Sequence, residues 1–238
     1  MFGLNRFKDR IQAGQLLAQR LQQYARRNDA IVLALPRGGV PVGYEIARAL
    51  ELPLDIILVR KLGMPGHEEF AMGAIASGGA RFVQDDVLQA YAVPAKLVEQ
   101  VVQEESAELE RREKLYRGTR PMPALRGRLV ILVDDGLATG STMKAALLAV
   151  RKEQPARVIV AAPVGSPQSL EKLRQDADEI ICLRTPEPFY AVGTWYEYFG
   201  QTSDEEVIRL LNAASPVATA VAALRHPDSE VSTHVDHR

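Results

Sequence analysis

Residues 130–142 (Val-Ile-Leu-Val-Asp-Asp-Gly-Leu-Ala-Thr-Gly-Ser-Thr) constrain the fold more than any other stretch. Four apolar, mostly β-branched residues read as a buried strand, too short to be a helix of their own. Two acids end it, small residues turn the chain, and residues 143–152 continue as a helix. Ser141 or Thr142 is a good cap for that helix. A strand that turns sharply into a helix aims free backbone N–H groups at one point, beside the positive end of the helix dipole, and so suits a phosphate monoester. Gly140 lets the backbone come close, and the hydroxyls of Thr139, Ser141 and Thr142 can donate. Asp134 and Asp135 repel phosphate but accept from vicinal hydroxyls, with a hydrated divalent cation nearby. Phosphate and diol together describe a ribose 5-phosphate.

A second strand–turn–helix unit precedes it. Residues 30–35 read as a buried strand, Pro36-Arg37-Gly38-Gly39 as the turn and residues 40–50 as a helix. Two glycines admit close backbone approach to an anion, and Arg37 can fork onto phosphate oxygens. A third apolar strand, 54–59, runs into Arg60 and Lys61 and then a loop rich in Gly and Pro (62–69), where His67 reads as a bystander. Residues 70–76 suit a strand, 77–79 a turn, and 80–83 a strand pairing back. Residues 8–24 form an amphipathic helix and 96–116 the longest one, with Leu97, Val98, Val101, Val102, Leu109 and Tyr116 as its apolar stripe. Its charged run 104–114 reads as a solvated face, and 117–126 as a loop. Strands at 157–162 and 179–183 and helices at 168–175 and 204–212 complete the pattern. Strand alternating with helix predicts an α/β fold: three α/β/α layers around a largely parallel sheet, with ligands at the carboxyl ends of the strands.

The segment 130–142 resembles the diphosphoribosyl-binding signature of type I phosphoribosyltransferases: apolar strand, paired acids, two loosely chosen residues, then a Thr-Gly turn. It matches neither a P-loop nor a dinucleotide fingerprint. The Arg-Gly-Gly turn is similar to the version in some purine and xanthine members, where the turn binds pyrophosphate, often through an unusual cis peptide. The resemblance covers residues 5–212 and is closest to a group of bacterial phosphoribosyltransferases. It implies displacement at the anomeric carbon of 5-phosphoribosyl 1-diphosphate, through an oxocarbenium-like transition state, with Mg²⁺. It implies that Arg37 and Lys61 offset the leaving group's charge. Asp134 and Asp135 then hold the ribose hydroxyls and a metal, directly or through water. Pro36, Gly38 and Gly39 border the diphosphate, as does Arg60, near the point where the family places a mobile catalytic loop. Ala138, Thr139, Gly140, Ser141 and Thr142 anchor the 5′-phosphate.

The only Trp lies in an aromatic stretch, 186–199, that reads either as a packed lid or as a base pocket whose rings stack on a nucleobase. It loosely resembles the hood of 6-oxopurine enzymes, which puts Tyr190 in a stacking position and Glu197 in an acidic one. In hypoxanthine–guanine enzymes an Asp precedes the Thr-Gly and assists proton transfer. Here Ala138 stands there, so the identity of the acceptor stays open. The resemblance therefore predicts one domain over residues 1–212, with a small aromatic hood at 186–200 and a flexible tail at 213–238.

Composition narrows the rest. The 238 residues are 47% hydrophobic and 25% charged, enough for one large domain with a full core. A formal net charge of −1 gives no basic excess for nucleic acid. The single Cys182 fits a reducing compartment, and its apolar surroundings suit a structural thiol. Residues 1–10 lack the apolar core of a secretory signal and no apolar run is long enough to span a bilayer, so a cytoplasmic protein is expected. The expected partners are the diphosphate sugar and a small-molecule acceptor, with no nucleic acid and no membrane; homodimers are common in the family. Two other functions fit the same motifs: a regulator that senses the sugar diphosphate or a nucleotide without turning it over, and a hydrolase of phosphoribosyl compounds.

Overall fold

Alternation along the strands sorts the core into two layers. The computed structural model describes residues 6–65, 67–83 and 85–214. Five strands form a parallel sheet: β1 (Ala30–Ala34), β2 (Leu54–Ile56), β6 (Leu129–Val133), β7 (Arg157–Val164) and β8 (Glu179–Arg184), in the order β2-β1-β6-β7-β8. Along β6, Val130 and Leu132 point to one face, while Leu129, Ile131 and Val133 point to the other. Each face is covered by helices, as a sheet buried on both sides requires. Helices α1 (Arg10–Arg20) and α2 (Gly39–Leu50) bring Leu17, Leu21, Val42 and Ile46 to one side. Helices α5 (Ser141–Lys152) and α6 (Pro167–Leu173) bring Met143, Leu147, Val150 and Leu173 to the other. Each such fully buried side chain contributes roughly 1.5–3 kcal/mol.

A second, antiparallel sheet has the order β3-β4-β5, from β3 (Val59–Met64), β4 (His67–Ala76) and β5 (Ala80–Val83). Helix α3 (Asp85–Ala90) follows it. Helices α4 (Ala95–Arg117) and α7 (Asp204–Ala213) join a third core through Val98, Val102, Leu109, Tyr116, Val207 and Leu211, against Leu58, Leu62 and Met72.

The expected three-layer architecture with its largely parallel sheet is the one observed. Three local expectations are corrected. Where a loop is expected over 62–69, β3 runs on to Met64 and β4 starts at His67: Gly63 sits where the β3–β4 register shifts, and Pro65 follows the end of β3, so the loop-like residues mark a bulge and a turn. The cap of α5 is Gly140, not Ser141 or Thr142, because the chain enters the helix through a left-handed residue, φ +72°. The charged run 104–114 is solvated at Glu104, Glu110, Arg111 and Lys114 only. Glu105, Glu108 and Arg112 lie on the face shared with Leu109 and Tyr116, at helical spacing, and are half-buried. His67 lies in β4, and its side chain falls outside the described set, as does the tail beyond residue 214.

Candidate functional site

The parallel register of β1 and β6 decides where the two turns fall. Ala34 pairs with Val133 at the carboxyl ends of adjacent strands, and the Leu35 amide donates to Val133 O at 2.9 Å. The turns that follow therefore lie side by side. The fit is close: a β-carbon placed on Gly38 would stand 1.9 Å from Asp135 Oδ2, and one on Gly39 would stand 2.7 Å from Val133 O. Glycine is required at both by contact, since Gly38 has an ordinary helical φ of −61°. The Pro36–Arg37 peptide is cis, as the resemblance implied.

The acid pair starts where β6 ends. Asp134 Oδ1 accepts the Asp135 amide at 2.8 Å. Burial, then the charge of Asp135, hold the Asp134 carboxyl well above the usual range. Burial also raises Asp135, opposed by the Arg10 guanidinium, whose Nη2 lies 2.7 Å from Oδ2. Tyr196 donates to Asp135 O at 2.6 Å, and burial raises its phenol.

The signature turn is braced from the start of α6. Ser166 Oγ donates to Ala138 O at 2.8 Å, and Ser169 Oγ to Leu137 O at 2.9 Å. Ala138, Thr139, Ser141 and Thr142 stay exposed above this brace. The Ser141 amide makes a long contact to Thr139 Oγ1, 3.4 Å, and the first-turn amides of α5 have no intrahelical acceptor, so they face outward as anion donors. A cleft of about 330 Å³ adjoins the turn, lined by Thr139, Gly140, Ser141, Lys144 and Lys172. A larger one, about 560 Å³, runs from Ala138 and Thr139 past Ser166 and Gln168 to Phe189 and Tyr190. Tyr190 is 80% exposed at its wall, a ring face open to a planar ligand. The segment 186–200 closes this edge: Val192 packs against Gly136, leaving no room for a β-carbon there.

The remaining expected residues divide. Arg37 lies 3.6 Å from Asp204 of α7, which also accepts from Tyr116 at 2.5 Å and pushes that phenol up, with burial, to about 12. Arg60 pairs with Glu105 of α4 and lines a small cavity, about 40 Å³, with Pro36, Val59, Arg112 and Thr142. Lys61 is exposed on β3 and lines none of these clefts. Glu197 is exposed, binds Phe7 O through its amide at 2.8 Å, and lines none of these clefts.

Several residues at the site escape sequence reasoning. Arg10, Glu105, Arg112 and Asp204 reach it from distant helices, and nothing local marks them. Ser166 had a signal: Ser followed by Pro is a helix start, and it caps α6 by accepting the Ser169 amide. Among the described residues no cluster of three or more His, Cys, Asp or Glu would cage a metal. The twin carboxylates suit a hydrated Mg²⁺ that arrives with phosphates, since that ion keeps several waters.

The phosphoribosyl transferase domain model matches residues 5–197. A Mycobacterium tuberculosis (strain H37Rv) protein that carries a provisional phosphoribosyl transferase name is 44% identical over 208 residues, 87% of this chain and 47% of that protein. The chain thus spans about half the length of the curated relatives it matches. A uracil phosphoribosyltransferase of Aquifex aeolicus is 30% identical over 59 residues, 25% of this chain and 28% of that protein. The crystal structure of TT1426 from Thermus thermophilus is 44% identical, covers 87% of this chain and 97% of its own, and superposes with a TM-score of 0.78. Two strand–turn–helix units with their turns side by side at one sheet edge, and a family match over most of the chain, lead to one statement: the chain belongs to the phosphoribosyl transferase domain family.

Proposed function

We propose that the protein is a Mg²⁺-dependent phosphoribosyltransferase, which moves ribose 5-phosphate from 5-phosphoribosyl 1-diphosphate to the nitrogen of a small acceptor. One observation carries the reading: the Arg37 turn abuts the Asp135 carboxylate, so a single sugar diphosphate can lie across both. The α5 amides and the Thr139–Thr142 hydroxyls take the 5′-phosphate and orient the anomeric carbon. The carboxylates of Asp134 and Asp135 accept from the ribose hydroxyls and favour positive charge on the ring. Arg37 and the Gly38 amide beside it take the diphosphate, with Arg60 at the Pro36 end of the turn and Lys61 next to it along β3. The C1–O bond breaks with its electron pair leaving on pyrophosphate. The C1–N bond forms from the acceptor's lone pair, and that nitrogen gives up a proton. Mg²⁺, held by Asp134 and Asp135 through water, would offset charge on the leaving group.

The acceptor enters the cleft between Ala138, Gln168 and Tyr190, where the open ring favours a planar base, as in a salvage reaction. With Ala138 at the turn, that wall lacks a carboxylic acid for proton transfer. The single Cys182 suits a reducing compartment, so the reading places the protein in the cytoplasm. Among the described residues no helix is long and apolar enough to cross a membrane. The test is a panel of purines, pyrimidines and amines incubated with the diphosphate sugar and Mg²⁺. Pyrophosphate together with a nucleotide supports transfer. Free ribose phosphate points to hydrolysis, and binding without turnover to a sensor.

A further inference from the structure

Arg10 opens α1, far in sequence from either phosphate-facing turn, and borders both. Its Nε and Nη2 end on the same atom, Asp135 Oδ2, at 2.8 and 2.7 Å. Its Nη1 donates to Gly200 O at 2.7 Å, and its guanidinium lies over the Phe199 ring, 4.0 Å from the centroid. A β-carbon on Gly38 would stand 3.3 Å from Arg10 Nε, so the same group touches the edge of the Arg37 turn. Only 12% of the Arg10 side chain is exposed. A surface arginine keeps its head in water. This one has every nitrogen committed.

The geometry at Asp135 gives the commitment a purpose. Among the described residues, the side-chain hydrogen bonds to its carboxylate fall on Oδ2, both from Arg10, which leaves Oδ1 free of any other side chain. The terminal torsion of an aspartate is broad, so an untethered carboxylate presents either oxygen over a wide arc. Gripped through Oδ2, it presents Oδ1 in one direction. The grip also joins the acid to the segment above it, because the Tyr196 phenol holds the Asp135 carbonyl, while Phe199 and Gly200 hold Arg10. Phe7 and Lys8, just before α1, extend the same tie by accepting the amides of Glu197 and Tyr198 at 2.8 and 2.9 Å.

We propose that Arg10 is a positioning residue: it fixes the Asp135 carboxylate so that the free oxygen meets the sugar hydroxyls, and it anchors residues 196–200 above that acid. The proposal rests on the reading of Asp135 as the diol acceptor. The diphosphate is left to Arg37 and its turn. That division separates two probes. Ribose 5-phosphate carries the diol and one phosphate, whereas pyrophosphate carries no diol.

Titration calorimetry of the full chain with each probe in the presence of Mg²⁺ tests it. Arg10→Gln should weaken ribose 5-phosphate binding about tenfold, the size of one lost charge-assisted bond, and leave pyrophosphate affinity unchanged. Arg10→Lys keeps the charge but has no fork, and should restore only part of the loss. A folded Arg10→Gln that binds ribose 5-phosphate as well as the wild type overturns the proposal. So does a parallel loss of pyrophosphate binding, which would make Arg10 a direct anion contact. Should Arg10→Gln not fold, Phe199→Leu removes the ring and keeps the charges; it should cost about threefold in ribose 5-phosphate affinity, and no change overturns the proposal. A wild type that binds neither probe sinks the reading of the site itself. One that binds pyrophosphate alone sinks the Asp135 assignment, and the role of Arg10 with it.

Discussion

Replacing Gly38 by alanine separates the work of the site from the stability of the fold. The added methyl would sit 1.9 Å from Asp135 Oδ2, where carbon and oxygen need about 3.3 Å, so the carboxylate must retreat by roughly 1.4 Å. The Arg10 guanidinium can follow an oxygen at the end of a side chain, so the pair is kept, but the displacement turns Oδ1 away from the sugar. Losing a hydrogen bond to a charged group is worth about 1.5–3 kcal/mol, so ribose 5-phosphate affinity should fall about ten- to hundredfold. Stability should change little. Gly38 has φ −61° and ψ −31°, which alanine adopts freely, and the unfolded chain loses entropy in favour of folding, about 0.4–1 kcal/mol. Gly39→Ala is the contrast. Its methyl would meet Val133 O at 2.7 Å and Asp134 Cα at 3.0 Å, backbone atoms that cannot swing aside, so overpacking should cost about 1–3 kcal/mol of stability. The assay is calorimetry with ribose 5-phosphate beside thermal unfolding for both variants. Gly38→Ala that binds normally, or that loses stability as Gly39→Ala does, would refute the reasoning.

Three further outcomes follow from the same geometry. Arg37→Ala should lose about tenfold in pyrophosphate affinity. Its half-exposed pair with Asp204 is worth about 1 kcal/mol at most, so the melting temperature should barely move; unchanged affinity in pyrophosphate titrations would contradict the assignment. Tyr190→Ala should raise the acceptor KM several-fold and leave that of the diphosphate sugar alone, because the ring stands 80% exposed at the outer cleft; steady-state kinetics with the best acceptor of the panel decides it. Burial pushes the Cys182 thiol up to about 11, so at pH 8 roughly one thiol in a thousand is ionised, and alkylation followed by mass spectrometry should be far slower than for a free cysteine.

What sequence could reveal follows the range of the interactions. The 130–142 unit was legible because its signals are contiguous: an apolar run, acids at its end and small turn residues. The 30–39 unit was legible for the same reason. The neighbourhood of the two turns was an inference from alternation, and the β1–β6 register supports it. The hairpin of β3 and β4 was not legible, since Gly63 and Pro65 carry a loop's composition while serving a bulge and a turn. Nor was the charged flank of α4, although its apolar stripe was, with Val98, Val102, Leu109 and Tyr116 buried as expected. Glu105, Glu108, Arg112 and Tyr116 recur at the helical period, but a stripe of mixed charges looks the same whether it faces water or faces Arg60, 45 positions away. Arg10 is the extreme case, with an acid partner 125 positions along the chain.

These long-range partners share a pattern that bears on ligand choice. Arg10 rests on Asp135, Arg37 near Asp204 and Arg60 on Glu105; within α4, Arg112 rests on Glu108, whose carboxyl is held down to about 2 by the hydrogen bonds from Arg111 and Arg112. Without ligand, then, the arginines around the β1 turn face carboxylates rather than bare solvent. Arg10 keeps Asp135, but at Arg37, Arg60 and Arg112 an incoming anion must exchange one charged partner for another, and for a single monophosphate that exchange roughly breaks even. On the proposed reading, a diphosphate adds what no side-chain carboxylate here supplies: a second charged group on the same molecule, within reach of the Gly38 amide of the β1 turn, tethered to a sugar whose own phosphate sits on α5. Binding one end then raises the effective concentration of the other. On the proposed reading, the paired arginines make the site selective for esters that engage both turns at once, and leave it weak toward inorganic phosphate.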